Sequence, residues 1–564
     1  MKLLLTTLNA KYIHSSLALR YLKAYCQRDF PDIVVKEFTI NNGILEILGN
    51  IYRETPTIVG FACYIWNIEM TLSLVKMLKK VAPTVTVILG GPEVSYDPVE
   101  VLEENPGVDF VVSGEGEETL RQLLMALHGP RDFQAIKGLG YRNPAGEPVF
   151  NGPPQIMANL DAIPFPYTTA DIEDLADKII YYESSRGCPF NCQYCLSSTT
   201  KGVRYFSLER VRQDLQVLID HNVKQVKFVD RTFNANKAHY LPILEFLAVQ
   251  ECRTNFHFEI AVDLLTDEVI DFLQQVPKGR FQFEIGIQST HEPTLAAIKR
   301  HNNWPRIVHN MERLRSAGNI HLHLDLIVGL PYEDFARFGQ SFNDVYALKP
   351  HMLQIGFLKL LKGSGIRRQA AEHQYLFMDN APYEVLQNKY LPYAAISQLK
   401  SFETVFEQVY NNGLFNYTLP LAISQHGGNP FHFYNDFTNY WLRHNLLSVA
   451  HSPKSIFKYL YQFCESFLTE EQLAVCQEFL KFDALMVERG NMRPEFLPWN
   501  DESWQQQVSA FWRNERLVAR YLPGFKFHTW RQVRKYYHIE VFAVDVPHYH
   551  QTGQIVEKPT PVLF

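Results

Sequence analysis

The chain has 564 residues, which at roughly 150 per domain allows about three or four domains. Hydrophobic residues make up 46% and charged residues 20%, so cores can form along the whole length; a disordered chain, a collagen-like chain and a disulfide miniprotein are excluded. Lys+Arg total 54 and Asp+Glu total 60, a net charge of −6, which speaks against nucleic-acid binding by bulk charge.

The N-terminal sequence MKLLLTTLNAKYIHSS holds an apolar run of about five residues, shorter than the roughly 7–15 of a secretory core. No stretch approaches the roughly 18 apolar residues of a membrane span. The expectation is a soluble cytoplasmic protein that engages neither membrane nor nucleic acid. Apolar runs of strand length then occur at 2–8, 33–40, 57–64, 84–91 and 108–114, separated by stretches of helical period. Such alternation predicts a doubly wound parallel α/β domain over 1–135, with ligands outside the carboxyl ends of its strands. Gly90-Gly91-Pro92-Glu93 and Gly114-Glu115-Gly116-Glu117 both fall at such ends. Proline and glycine crowd the segment that follows, which reads as a linker over 136–176 with a small hairpin. Alternation resumes with strands expected at 178–185, 225–230, 256–262, 281–289, 320–329 and 352–360. Helices are expected between them at about 207–222, 236–250, 266–276, 304–317 and 334–347. This is the pattern of a partial (β/α)6 barrel over 177–365, with its chemistry on the loops after the strands. From 366 to 564 helical patterns dominate, as in 384–410 and 453–485, with one late strand at 538–546.

Of eight cysteines, three stand close together as Cys188-Pro189-Phe190-Asn191-Cys192-Gln193-Tyr194-Cys195. In a reducing compartment such crowding points to metal or redox chemistry. Three thiolates on one short loop can bind three irons of a cubane cluster and leave the fourth iron open. Two other readings use the same residues: a zinc site completed by a distant ligand, and a ferredoxin-type cluster closed by a remote cysteine such as Cys252.

The C-x3-C-x2-C loop, with Tyr194 before its last cysteine and a barrel behind it, resembles the radical S-adenosylmethionine (SAM) superfamily. The resemblance implies a [4Fe–4S] cluster on Cys188, Cys192 and Cys195, with SAM on the open iron and cleavage to a 5′-deoxyadenosyl radical. It implies SAM contacts from Tyr194, Asp230 at the end of the second strand, Glu284 and Gln288 on the fourth, Arg300, and Asp325 and Gly329 on the fifth. The glycine-rich form of the second-strand segment is absent. Bland roles stand beside these: a helix cap for Asp230, an ion pair for Glu284, a tight turn at Gly329.

Placed before such a barrel, the first domain resembles the cobalamin-binding domain of cobalamin-dependent radical SAM enzymes. That resemblance implies cobalamin contacts from Gly90, Gly91, Pro92, Glu93, Gly114, Glu115, Gly116 and Glu117. The D-x-H-x-x-G motif that supplies histidine to cobalt is missing from 1–140, so no such ligand is expected; a domain that only packs on the barrel is the alternative. Together the resemblances imply reductive SAM cleavage, methyl transfer to an unactivated carbon, an unknown substrate and an electron donor such as flavodoxin or ferredoxin. Cyclisation, rearrangement or oxidation without methyl transfer is a second reading. A non-catalytic iron–sulfur sensor or electron carrier is a third. The C-terminal residues assign no role: Phe431-His432-Phe433-Tyr434 and the tryptophans Trp504, Trp512 and Trp530 read as core, and His548 and His550 as surface.

Overall fold

The computed structural model describes all residues except 200–201, 488–491, 500–503, 524–525, 527–529 and 534, together with the side chain of Trp530. By internal packing the chain divides into two units, 1–334 with 356–393, and 335–355 with 394–564.

The first unit opens with five parallel strands, β1 (Leu3–Asn9), β2 (Ile33–Thr39), β3 (Ile58–Ala62), β4 (Thr86–Gly90) and β5 (Phe110–Val112). Their order, β2-β1-β3-β4-β5, puts β1 inside the sheet, and all seven of its residues are buried. Alternate side chains divide between two cores. Leu4, Leu8, Val59, Val87 and Val111 lie in one, with helices Ile44–Arg53 and Ile68–Val81. Leu3, Leu5, Ile58, Ile88 and Val112 lie in the other, with helices Leu17–Cys26 and Glu117–His128. Burial of each such side chain contributes roughly 1.5–3 kcal/mol, which fixes the register of the sheet. The expected linker is partly sheet. Strands β6 (Leu139–Arg142) and β7 (Pro148–Phe150) form an antiparallel hairpin that extends the edge beyond β5, with Tyr141 opposite Phe110. Tyr141 and Phe133 pack on Phe110, which draws this Pro/Gly-rich segment onto the sheet.

The second sheet contains β8 (Ile180–Tyr182), β11 (Gln225–Phe228), β12 (Asn255–Ile260), β13 (Phe281–Gln288), β14 (His321–Val328) and β15 (Met352–Phe357), in the order β15-β14-β13-β12-β11-β8. Between β8 and β11, short strands β9 (Ser185–Gly187) and β10 (Val203–Tyr205) pair antiparallel. All six expected strands are present, and the sheet is open rather than closed. The helices behind it begin and end on local signals. In Trp304–Ala317, Asn303 caps the first turn by accepting from the Arg306 N–H at 3.3 Å, Pro305 is tolerated there, and Gly318 stops the helix at φ 63°. On β13 Phe281, Phe283, Ile285 and Ile287 are buried, while Gln282, Glu284, Gly286 and Gln288 stay partly accessible on the opposite, concave face.

The expected boundary at 365/366 differs from the packing. Segment 356–393, with its ribbon β16 (Leu376–Phe377) and β17 (Val385–Gln387), belongs to the first unit, so the helical pattern at 384–410 begins only at Tyr393. Helix Phe335–Tyr346 belongs to the second unit because its apolar face is aromatic. Phe342 lies 5.1 Å from both Phe402 and Phe406, ring to ring. Phe431, Phe433 and Tyr434 are buried in the second unit, and His432 is exposed. The late strand is β18 (Ile539–Val544), and it has an unexpected antiparallel partner, β19 (Glu557–Leu563).

Candidate active site

The cysteine loop does not follow the first barrel strand directly. It leaves β9, whose pairing with β10 brings the loop's ends together. Gly187, at φ 104°, lies where a Cβ would collide with the Gly202 carbonyl. All three thiols are free, with Cys192 buried and Cys188 and Cys195 half-buried. The Ser197 N–H donates to the Cys195 Sγ at 3.4 Å, and Arg300 Nη1 stands 3.9 Å from the Cys192 Sγ. Burial pushes the Cys192 thiol up, and the Arg300 guanidinium opposes it. Among the described residues no group of three His, Cys, Asp or Glu side chains is placed to hold a single metal ion. Cys252 precedes the amino end of β12, roughly 20 Å of strand from the end where the cysteine loop lies, so it cannot serve as a fourth ligand.

The three cysteines line a cavity of about 250 Å³. Tyr194, Glu284, Gln288, Arg300 and Asp325 line it too, so five of the seven expected SAM residues meet the thiols in one place. Arg300 is anchored by the Gly286 carbonyl and lies 3.2 Å from the Tyr194 hydroxyl. Glu284 accepts from Lys227 at 2.8 Å and lies 3.0 Å from the His257 Nε2. Burial opposes its charge, but these two partners hold its carboxyl down at about 2. Asp325 lies 3.0 Å from the His323 Nε2, and burial raises its carboxyl pKa.

The other two expected residues are elsewhere. Asp230 faces the core: it accepts from the Ser184 N–H (2.9 Å) and from the hydroxyls of Ser184 (2.7 Å) and Ser185 (2.6 Å). It braces the entry to the cysteine loop, and its neighbour Arg231 enters the cavity instead. Gly329, at φ 92°, packs so tightly that a Cβ would lie 2.8 Å from Val385, and its carbonyl accepts from Tyr375 and Asn388. Its glycine is required by packing rather than by approach to a ligand.

A second cavity, of about 740 Å³, opens at the carboxyl ends of β1, β3, β4 and β5. Gly90, Gly91, Gly114, Glu115, Gly116 and Glu117 line it with apolar neighbours such as Leu5, Phe61, Ile88 and Val112. Pro92 and Glu93 do not. Glu93 is buried and accepts from the Tyr383 hydroxyl, which removes it from the expected set. Glu115 and Glu117 are occupied by arginines. Arg186 donates to Glu117 (2.6 Å), Glu183 (2.8 Å) and Glu115 (3.3 Å), and Arg204 also donates to Glu115. Tyr64 and Trp66 stack at 4.4 Å on the same wall. His14 is the one histidine among the described lining residues, and its Nδ1 lies 2.7 Å from the Tyr181 hydroxyl. The size, the glycine-bordered rim and the apolar wall suit a large flat cofactor.

Sequence reasoning missed the charges on the concave face of the second sheet: Lys227, Arg231, His257, Glu259 and His323. The period-2 alternation of Phe256-His257-Phe258-Glu259-Ile260 carried that signal. Arg231 and Glu259 line both cavities.

Fold and site together define a class: a parallel α/β domain in front of a partial barrel that carries an open three-cysteine loop at its mouth. Residues 3–124 match the B12 binding domain, 182–345 the Radical SAM superfamily, and 371–564 a protein family of unknown function, DUF4080. Two separate stretches of the chain thus match a cobalamin-binding and a radical SAM domain. The cofactors that go with these domains are a [4Fe–4S] cluster, SAM and cobalamin. An uncharacterized methyltransferase of Pyrococcus horikoshii, PH0819, is 32% identical over 235 residues, 40% of this chain and 51% of the relative. The cobalamin-dependent radical SAM methyltransferase TokK of Streptomyces tokunonensis is 26% identical over 341 residues, 57% of this chain and 49% of TokK. The chain thus spans about half the length of the curated relatives it matches. The solved structure of OxsB, a cobalamin-dependent SAM radical enzyme with aqua-cobalamin and SAM bound, shares the fold. It is 14% identical with a TM-score of 0.59, over 94% of this chain and 83% of OxsB. No described helix is long and apolar enough to cross a membrane.

Proposed function

We propose that the chain is an enzyme that reductively cleaves SAM at a [4Fe–4S] cluster and transfers a methyl group from cobalamin to an unactivated substrate carbon. The observation that carries this reading is the shared wall. A cavity suited to cobalamin and a cavity lined by three thiols meet at Arg231 and Glu259. When bound, the cluster with SAM supplies a 5′-deoxyadenosyl radical and cobalamin supplies a methyl group. The chain's own residues do the rest. Cys188, Cys192 and Cys195 hold the iron. Arg300 and the Ser197 N–H stabilise thiolate charge beside it. Glu284, fixed by Lys227 and His257, and Gln288 present acceptors to SAM hydroxyls. The glycines at 90–91 and 114–116 let backbone approach the corrin. Two cavities with one wall support this reading, since a substrate carbon there would be within reach of both cofactors, the advantage of building them on one chain.

The free thiols suit a reducing compartment, so we place the protein in the cytoplasm, with a low-potential donor such as flavodoxin or ferredoxin as reductant. The test is anaerobic protein made with cobalamin present, read by its UV–visible spectrum, by iron and cobalt counts, and by 5′-deoxyadenosine release under reductant. About four irons beside near-stoichiometric cobalt, with SAM cleavage, support the reading. A product heavier by one methylene separates methyl transfer from cyclisation, rearrangement or oxidation. Iron without cobalt removes methyl transfer, and an intact cluster that never cleaves SAM returns the protein to the class of sensors and electron carriers.

A further inference from the structure

On the concave face of the second sheet nearly every charge has a partner. Lys227 and His257 meet Glu284, His323 meets Asp325, and Arg300 is held by the Gly286 carbonyl and Tyr194. At the rim of the larger cavity Arg186 is surrounded by three carboxylates. Arg231 and Glu259 differ. The parallel register sets Lys227 beside His257 and Glu259 beside Glu284, so odd-numbered positions of both β11 and β12 face inward. Arg231 continues that row past the end of β11 and remains exposed. Among the described residues its guanidinium has no ion pair and no hydrogen bond, and the Glu259 carboxyl likewise has none. They do not pair with each other. These two residues form the wall common to both cavities.

A guanidinium offers five donors and no acceptor, in a fork that fits a carboxylate or a phosphate. It stands on the wall between the two sets of lining residues, with the thiols, Glu284, Arg300 and Gln288 on one side and the glycine loops on the other, and none of them pairs with it. Burial beside Glu284 pushes Glu259 up to about 7, so its protonated form can stand next to an anion without repelling it. We propose that Arg231 anchors an anionic group of the substrate, a carboxylate or a phosphate, at the wall shared by the two cavities. The inference rests on the reading that both cavities hold cofactors.

The experiment uses the full chain, loaded anaerobically with cluster, cobalamin and SAM, as wild type and as R231M and R231K. Acetate and inorganic phosphate are titrated in separately by calorimetry, with iron, cobalt and SAM affinity measured on each protein. The expected result is one saturable anion site in the wild type, about tenfold weaker in R231M and largely recovered in R231K, at equal metal content and SAM affinity. The preferred probe distinguishes a carboxylate substrate from a phosphorylated one. Anion binding that is absent from the wild type, or equal in R231M, overturns the proposal. Loss of cobalt or of SAM affinity in R231M also overturns it, by assigning Arg231 to a cofactor. Failure of the functional reading is seen separately, in the cobalt count and 5′-deoxyadenosine release of the wild type before any anion is added.

Discussion

The larger cavity is walled by glycine backbone and by Leu5, Phe61, Ile88 and Val112, whereas the smaller one is walled by Glu284, Gln288, Arg300 and Asp325. Both stand at the carboxyl ends of parallel strands, yet the materials are opposite, and the sheets explain why. The first sheet is covered on both faces by two cores, so what it offers a ligand is backbone and apolar core side chain at and near its strand ends. On the second sheet alternate side chains of β12, β13 and β14 line the smaller cavity, so side chains along the strands themselves reach a ligand. One architecture offers shape; the other offers charge. Their carboxylates differ accordingly. Glu284 has Lys227 and His257 to itself and is held at about 2. Glu183 shares Arg186 with Glu115 and Glu117, and burial pushes it up to about 7.

The sharpest way to separate the two cavities is Cys192→Ala. It should abolish cluster and SAM cleavage while cobalamin uptake persists, read as iron against cobalt; SAM cleavage by that variant would contradict the assignment of the loop. Arg186→Met tests the tie between them. Removing the shared cation leaves Glu117 and Glu183 without their arginine and Glu115 with Arg204 alone, and urea unfolding should show a loss of about 3–5 kcal/mol. Substituting Glu284 probes charge. Ionised Glu284 stabilises the fold fully above its unfolded pKa of 4.5, and that contribution is lost as pH falls from there towards 2. The E284Q apo chain should therefore lack about 3 kcal/mol of acid sensitivity in this window. E183Q should do the opposite between 4.5 and 7, removing a loss of stability that the wild type suffers as pH rises. Gly91→Ala probes shape. At φ 106° and with its Cβ 2.5 Å from the Cys63 carbonyl, alanine should cost about 1–3 kcal/mol and lower cobalt content while iron stays, a result that equal loss of both metals would refute.

Strands and cysteine loop were legible in the sequence because each is a local signal: apolar runs of strand length, and thiols within eight positions. Five SAM candidates met at the loop because motif position along a barrel strand implies its mouth. Asp230 and Arg231 show where that logic ends. Adjacent residues past a strand point opposite ways, and Ser184 and Ser185, 46 and 45 residues before Asp230, decide which one faces the cavity. Glu93 was lost to Tyr383, 290 residues away in the chain. Strand β19 was hidden by Pro559 and Pro561, which a central strand would not tolerate but a two-stranded ribbon does. A small hairpin was expected in the linker, but that β6–β7 joins the sheet was not legible, because its sheet contacts come from Phe110 and Phe133 and not from its own composition.

Arg186 sits two residues before Cys188 and grips Glu115 and Glu117 on the rim of the other cavity. Order imposed on either loop is therefore inherited by the other, and the free energy spent on stiffening that hinge is spent only once. With both cavities filled as proposed, whichever cofactor arrived first would lower the entropy cost for the second. By thermodynamic reciprocity the factor by which cobalamin tightens the cluster loop equals the factor by which the filled cluster loop tightens cobalamin.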